Sequence, residues 1–431
     1  MCRTPGSGFI CLVVLLCKVC WCGDAQEIHA YPFFKGTVSG TLETLDNKAL
    51  FGGTFSGNFI EASGSISFLE NDQSHSVVAH SLWVEVNHQR RLFIKAGYFP
   101  EQASAAAFFP LLNFFQATLF SDTIRWGGSF YPDSTTLAQV KFAHGPFSFK
   151  ASINPFESAW TVIDLDDPFF PDRQIPQKLN FGAYLGTYTL NKTNIAEPEW
   201  SWFMLRETPE YSLEAAWQGV NLDARIIYFN GLDRSISLEP NIVLNTYPYA
   251  TYDFSLVPRR SSISVLGAAV SLPIQDLTLY GEASHTWNQL LSSKTRKLAG
   301  TRIVYPPASA DSIDAAVGAL WSLPWLPLRL VAEGRYAWLT RAAGDLEAPT
   351  LSRAASMALE ASFFSGALTA TPLFIVSLKD GSRAYSAKAA YAFESGFKLW
   401  FLWMQCQGDP DSELGQYSGS PILRLGVDWA M

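Results

Sequence analysis

The sequence predicts an all-β chain, a transmembrane antiparallel up-and-down β-barrel of about 16–20 strands. Three observations carry this. Stretches of about ten residues alternate apolar and polar side chains, the length a tilted strand needs to cross a bilayer. The connections between them fall into short turns and long loops. Charge is scarce: of 431 residues 16% are charged, against 48% hydrophobic and 14% aromatic, where soluble domains carry about 25% charged residues. The net charge of −8 excludes nucleic acid as a partner, since phosphate binding needs a basic face.

The N-terminus, MCRTPGSGFICLVVLLCKVCWCGDAQ, has a basic start at Arg3 and an apolar run from Phe9 to Leu16. Gly23 and Ala25 stand at the spacing of a cleavage site, so residues 1–25 are expected to be a signal peptide and 26–431 the barrel. Five of the six cysteines lie in that leader. Only Cys406 belongs to the expected mature chain, which leaves no intrachain disulfide and no cysteine metal cluster.

Along the body, 90–98 places Leu92, Ile94, Ala96 and Tyr98 on one face, and 220–229 does the same with Leu222, Ala224, Ile226 and Tyr228. Residues 135–143 add Val140 and Phe142. In DLTLYGEASHTW (276–287), Leu277, Leu279, Gly281, Ala283, His285 and Trp287 oppose Thr278, Tyr280, Glu282, Ser284 and Thr286. In LRLVAEGRYAW (328–338), Leu328, Leu330, Ala332, Tyr336 and Trp338 oppose Arg329, Glu333 and Arg335. Residues 267–287 and 318–338 share Ser-Leu-Pro, a glutamate and a closing Trp, and read as a reused hairpin. The chain closes on LRLGVDW (423–429).

Short connections fall at 144–146, 217–221, 271–276, 322–327, 365–366 and 394–397, and long ones at 153–176, 231–260, 288–312, 340–352 and 407–419. Counted back from the C-terminus they alternate, with KDGS (379–382) a brief exception. Outer-membrane barrels place short turns in the periplasm and long loops outside. Leader, strands, parity and closing strand together resemble the bacterial outer-membrane porin-like barrels. Members of that class end in a strand with a terminal aromatic, which the barrel-assembly machinery reads; here Ala430 and Met431 follow Trp429. The resemblance implies a channel in the bacterial outer membrane, with membrane lipid, the assembly machinery and a small-molecule solute as partners, and homo-oligomers as a further state. It names no solute and no cofactor.

If the apolar rows face lipid, the opposite rows line the lumen. They place there Arg91, Lys95, Lys141, Lys150, Arg225, Arg329, Arg335, Lys388, Lys398 and Arg424. The acidic members are Glu85, Glu214, Asp223, Glu282, Glu333, Glu360 and Asp428. These charges read first as cross-strand pairs that solvate a wall; the slight basic excess gives a sharper hypothesis, a modest anion preference. Two segments are candidates to enter the bore: FPEQASAAAFFPLLNFFQATLF (99–120) and the proline-rich 153–176. The first offers Phe108, Phe109, Phe114 and Phe115 as a constriction, which opens an alternative, a transporter of hydrophobic or amphipathic molecules. A third reading is a surface-exposed adhesin acting through its long loops. No enzyme is expected: the six histidines are scattered without metal-ligand spacing, and no nucleophile elbow or phosphate loop occurs. His285 is expected to face lipid.

Overall fold

The computed structural model describes residues 29–430 apart from 41–44, 57–59, 72–73, 89–90, 100–103, 105, 113–134, 157–177, 181–186, 196–204, 234–236, 246–248, 292–295, 299–300, 304–306, 343–345, 347–350, 395, 411 and 419–420. The expected leader, and a strand considered at 124–131, lie outside the described residues.

In chain order the strands are β1 (His29–Gly40), β2 (Leu45–Ser56), β3 (Ile60–Asn71), β4 (Ser74–His88), β5 (Leu92–Phe99), β6 (Thr135–His144) and β7 (Phe147–Phe156). A long connection follows with β8 (Lys178–Asn180) and β9 (Thr187–Ile195), then β10 (Leu205–Gln218) and β11 (Asp223–Leu232). The next long connection holds β12 (Ser237–Asn245) and β13 (Thr251–Arg259), and is followed by β14 (Ser262–Ile274) and β15 (Leu277–Leu291). A third holds β16 (Arg296–Leu298) and β17 (Thr301–Ile303). The chain ends with β18 (Ala308–Leu323), β19 (Leu328–Ala342), β20 (Arg353–Phe363), β21 (Leu368–Ser377), β22 (Arg383–Ala392), β23 (Phe397–Gln407) and β24 (Ile422–Ala430).

Eighteen of these form one sheet, each antiparallel to the next, and β24 pairs back onto β1 with Lys35 opposite Ala430. The sheet is therefore a closed ring, within the expected range of strand number. Closure leaves no backbone edge, the condition for a β-structure in hydrocarbon. The alternation written in the sequence is the alternation of the wall. In β15, Tyr280, Glu282, Ser284 and Thr286 are buried inside, and Leu279 and Ala283 are exposed outside. His285 lies on the outer row against Trp287, ring centroids 4.2 Å apart. Leu213, Ile226, Leu266, Val317, Met357 and Leu425 are exposed on the same outer face, far more contiguous apolar surface than a water-soluble monomer carries.

Turn parity holds. The β6–β7, β10–β11, β14–β15, β18–β19, β20–β21 and β22–β23 turns are short and share one end. The first of them uses Gly145 at φ +57°, a left-handed position that costs glycine nothing.

At the opposite end one expectation needs correcting. Residues 231–260 are not an irregular polar loop, because β12 and β13 form a hairpin there, and β13 pairs parallel with β9 of the preceding long connection. Tyr252, Phe254 and Leu256 alternate inward in β13 and pack on Leu179 and Tyr188. That small core lets a four-stranded sheet form from two loops. Burial there pushes the Tyr252 phenol up to about 12.

Candidate functional site

The site is the bore, and its main feature is the chain between β5 and β6. Residues 104 and 106–112 run inside the barrel along its wall. Their apolar side chains, Phe108, Phe109 and Leu112, are buried. Phe108 and Phe109 join Leu414, Leu351 and the inner faces of β18 to β24, including Val331, Ala358, Leu373, Ile375, Met404 and Ile422.

A strip of irregular backbone inside a barrel exposes N–H groups that need acceptors. Two wall glutamates supply them. Glu333 of β19 accepts from the backbone N–H groups of Ala107 (2.6 Å), Phe108 (2.9 Å) and Phe109 (3.1 Å), and from the Tyr280 hydroxyl (2.5 Å). Glu282 of β15 accepts from the Ser104 hydroxyl (2.6 Å) and from the N–H groups of Ala106 and Leu111 (3.2 Å each). Three successive N–H groups converging on one carboxylate make a backbone anion nest, with the anion supplied by the wall. Hydrogen bonds to a charged group are worth about 1.5–3 kcal/mol each, so these two side chains account for the path of the segment.

The register makes the arrangement possible. Tyr280 on β15 stands opposite Gly318 on β18, which stands opposite Glu333 on β19. A Cβ at Gly318 would fall 2.4 Å from the Tyr280 ring. The missing side chain lets Tyr280 lie flat across β18 and reach the carboxylate.

The charged residues named from sequence sort into groups. Lys95, Lys141, Lys150, Asp223, Arg225, Arg329, Arg335, Glu360, Lys388, Lys398 and Arg424 share inner rows with buried neighbours. Lys150 pairs with Glu214 across β7 and β10 at 2.6 Å, and Arg335 with Asp314 at 2.8 Å. Arg329 and Glu360 form a half-exposed pair at 3.4 Å. The Lys95 ammonium sits 3.7 Å from the Trp83 ring centroid, beside its cross-strand neighbour Glu85. Lys141 is exposed, directly opposite Lys150 in register and 6.0 Å from the Phe93 ring centroid.

Four expectations change. Glu282 and Glu333 are on inner rows but only 3% and 4% exposed; they hold the in-folded segment and do not line a wet bore. Phe108 and Phe109 turn into the wall cluster instead of rimming an opening, because apolar rings there escape water only against β18 to β24. Arg91 lies in the turn before β5, exposed at the end of the barrel, since the strand begins at Leu92. The inner rows of β20 to β23 carry apolar side chains, Ala354, Ala358, Leu373, Ile375, Ala384, Met404 and Cys406, beside the expected Glu360, Lys388 and Lys398, where the sequence reading named the charged members alone. Phe114, Phe115, the Asp428 side chain and most of 153–176 lie outside the described residues.

Sequence reasoning missed Tyr280, Gly318 and Leu414 as parts of the site. A tyrosine opposite a glycine in a reused hairpin was a usable signal for the first two. Nothing local marked Leu414.

No protein-family model matches the chain, and no curated protein does. Solved structures do resemble it. OccK5 (OpdH) of Pseudomonas aeruginosa aligns over 94% of this chain and 98% of its own, with 10% identity and a TM-score of 0.49. OprD of Pseudomonas aeruginosa aligns over 94% and 95%, with 11% identity and a TM-score of 0.47. A loop-deletion mutant of OmpT, an outer membrane protein of Vibrio cholerae, aligns over 95% and 100%, with 10% identity and a TM-score of 0.43. These likenesses concern the fold alone.

Proposed function

We propose that the chain is a bacterial outer-membrane channel that passes small polar solutes, anions preferentially, through a bore narrowed by residues 104–112. The observation that carries this is a segment tied by backbone hydrogen bonds to buried wall carboxylates inside a closed 18-stranded ring. Barrels of 16–18 strands leave an aqueous channel unless something enters, and among the described residues a segment enters along one side of the wall. The apolar exterior and complete backbone pairing suit a lipid bilayer, and the turn parity orients the short turns to the periplasm. The expected leader of residues 1–25 would deliver the chain there.

Anion preference is supported by which charges stay accessible. The in-folded segment covers Glu282 and Glu333, while Lys141 is exposed. The alternative of an apolar constriction for hydrophobic solutes loses Phe108 and Phe109, which are taken up by the wall, and rests on Phe114 and Phe115, outside the described residues. Reconstitution in planar bilayers tests the reading. Discrete conductance steps with an anion-selective reversal potential under a salt gradient are expected. A sealed barrel, or clear cation selectivity, overturns the channel or its preference respectively.

A further inference from the structure

The short-turn end of the barrel is lopsided. Three turn tips, those of β10–β11, β18–β19 and β20–β21, carry bare apolar side chains, while the β14–β15 and β22–β23 tips carry Asp276 and Glu394. Val220 in the β10–β11 turn is 93% exposed, Trp325 in the β18–β19 turn 77%, and Phe364 in the β20–β21 turn 76%. Leu326, beside Trp325, is also exposed. None of the three tips, Gly219–Asn221, Pro324–Pro327 or Phe364–Ala367, contains a charged residue. Two of them are stiff: prolines flank Trp325 and Leu326, and Phe364 and Ser365 are both held at positive φ, +52° and +56°. The ring runs through 18 strands, so the turn facing the β18–β19 and β20–β21 tips across the barrel is the one between β4 and β5. Its sequence is His88-Gln89-Arg90-Arg91, and Arg91 is exposed.

We propose that the rim between β18 and β21 is seated in the headgroup layer of the periplasmic leaflet, while the β4–β5 turn stands in water, so that the barrel leans toward its β18–β21 side. The inference rests on the membrane reading above. Continuity argues for lipid as the occupant. Trp321 and Phe363 lie on the outer, lipid-facing rows immediately before these tips, and both are exposed. Trp325 is two residues past the last strand pair, Leu323 with Leu328, at most about 7 Å of chain. The polar layer adds about 5–7 Å to each side of the hydrocarbon. With Leu323, on the same outer row as Trp321, at the hydrocarbon edge, the Trp325 ring therefore remains inside the interface, where tryptophan is favoured. An arginine-bearing turn on the far side prefers the aqueous phase or the phosphate level.

The experiment places a nitroxide at Leu326→Cys, Phe364→Cys, Arg91→Cys and Met357→Cys, each in a Cys406→Ala background of the mature chain folded into phospholipid vesicles. Accessibility to oxygen, which partitions into lipid, is compared with accessibility to a water-soluble nickel chelate. Positions 326 and 364 are expected to favour oxygen and position 91 to favour nickel. Nickel accessibility at 326 and 364 equal to that at 91 overturns the proposal, as does protection from both reagents, which would mean a protein cover. Position 357, on the outer face of β20 and exposed, separates the two failures. If it too favours nickel, the membrane reading itself has failed; if it favours oxygen, only the lean has.

Discussion

Two halves of one wall differ in what they touch. From β18 to β24 the inner rows carry Leu373, Ile375, Met404 and Ile422, and meet the 104–112 segment and Leu414. From β5 to β11 they carry Lys95, Lys141, Lys150 and Arg225 together with Ser152, Asn154 and Ser212. Both halves are equally regular sheet. The contrast is confined to the stretch the segment covers: toward the short-turn end the inner rows of β19 to β23 still carry Arg329, Glu360, Lys388 and Lys398, so a row is apolar only where the segment and Leu414 lie on it.

The largest expected effect comes from removing what separates the halves. Glu282→Ala with Glu333→Ala deletes the acceptors of five backbone N–H groups. With each such bond worth about 1.5–3 kcal/mol, the segment should leave the wall and single-channel conductance should rise severalfold in planar bilayers. An unchanged conductance would remove the segment from any role in narrowing the bore.

Next comes Gly318→Ala, which forces Tyr280 aside and should cost about 1–3 kcal/mol by overpacking. Denaturant unfolding in detergent should show the loss, and Tyr280→Phe should restore little of it. Full stability of the alanine variant would mean that Tyr280 has room to move.

Lys141→Glu sharpens the contrast from the solvent side. It places an acid opposite Lys150 in the open half, and the zero-current potential should move toward cations with conductance nearly constant. No movement would show that ions pass elsewhere.

The smallest effect involves the loop beyond β21. Asp380 is partly desolvated, which alone would raise its pKa. Hydrogen bonds from the Ser382 hydroxyl and from the N–H groups of Glu413 and Ser382 outweigh that and hold it below the usual carboxylate range. Its stabilisation is therefore complete above the ordinary value near about 4 and disappears as pH falls through the lower folded value. Hydrogen exchange at Glu413 and Leu414 should quicken on acidification below that range, and Asp380→Asn should abolish the dependence.

Much of this was legible before any coordinates. Alternation in 276–287 and 328–338 assigned the correct face to Glu282, His285, Glu333 and Arg335, because a period of two leaves no latitude once one face is greasy. The apolar character of 99–120 offered it as an entering segment, and residues 104 and 106–112 of it do lie inside the ring. The partnership between that segment and its glutamates was not legible, since it joins residues 171 to 226 positions apart. Nor was the covered half: a strand such as Phe397–Gln407, FKLWFLWMQCQ, is apolar on both faces over its middle, so periodicity cannot announce a second packing surface. The sheet of β8, β9, β12 and β13 escaped because its strands are few and its parallel pairing joins two separate connections.

The seam between β1 and β24 has a consequence for biogenesis. The earliest strand of the ring waits for the latest, so a nascent or truncated polypeptide retains two raw margins of unsatisfied amides and carbonyls. Insertion must therefore be all-or-nothing at the final step, and a chain shortened by only its last nine residues would lack the clasp.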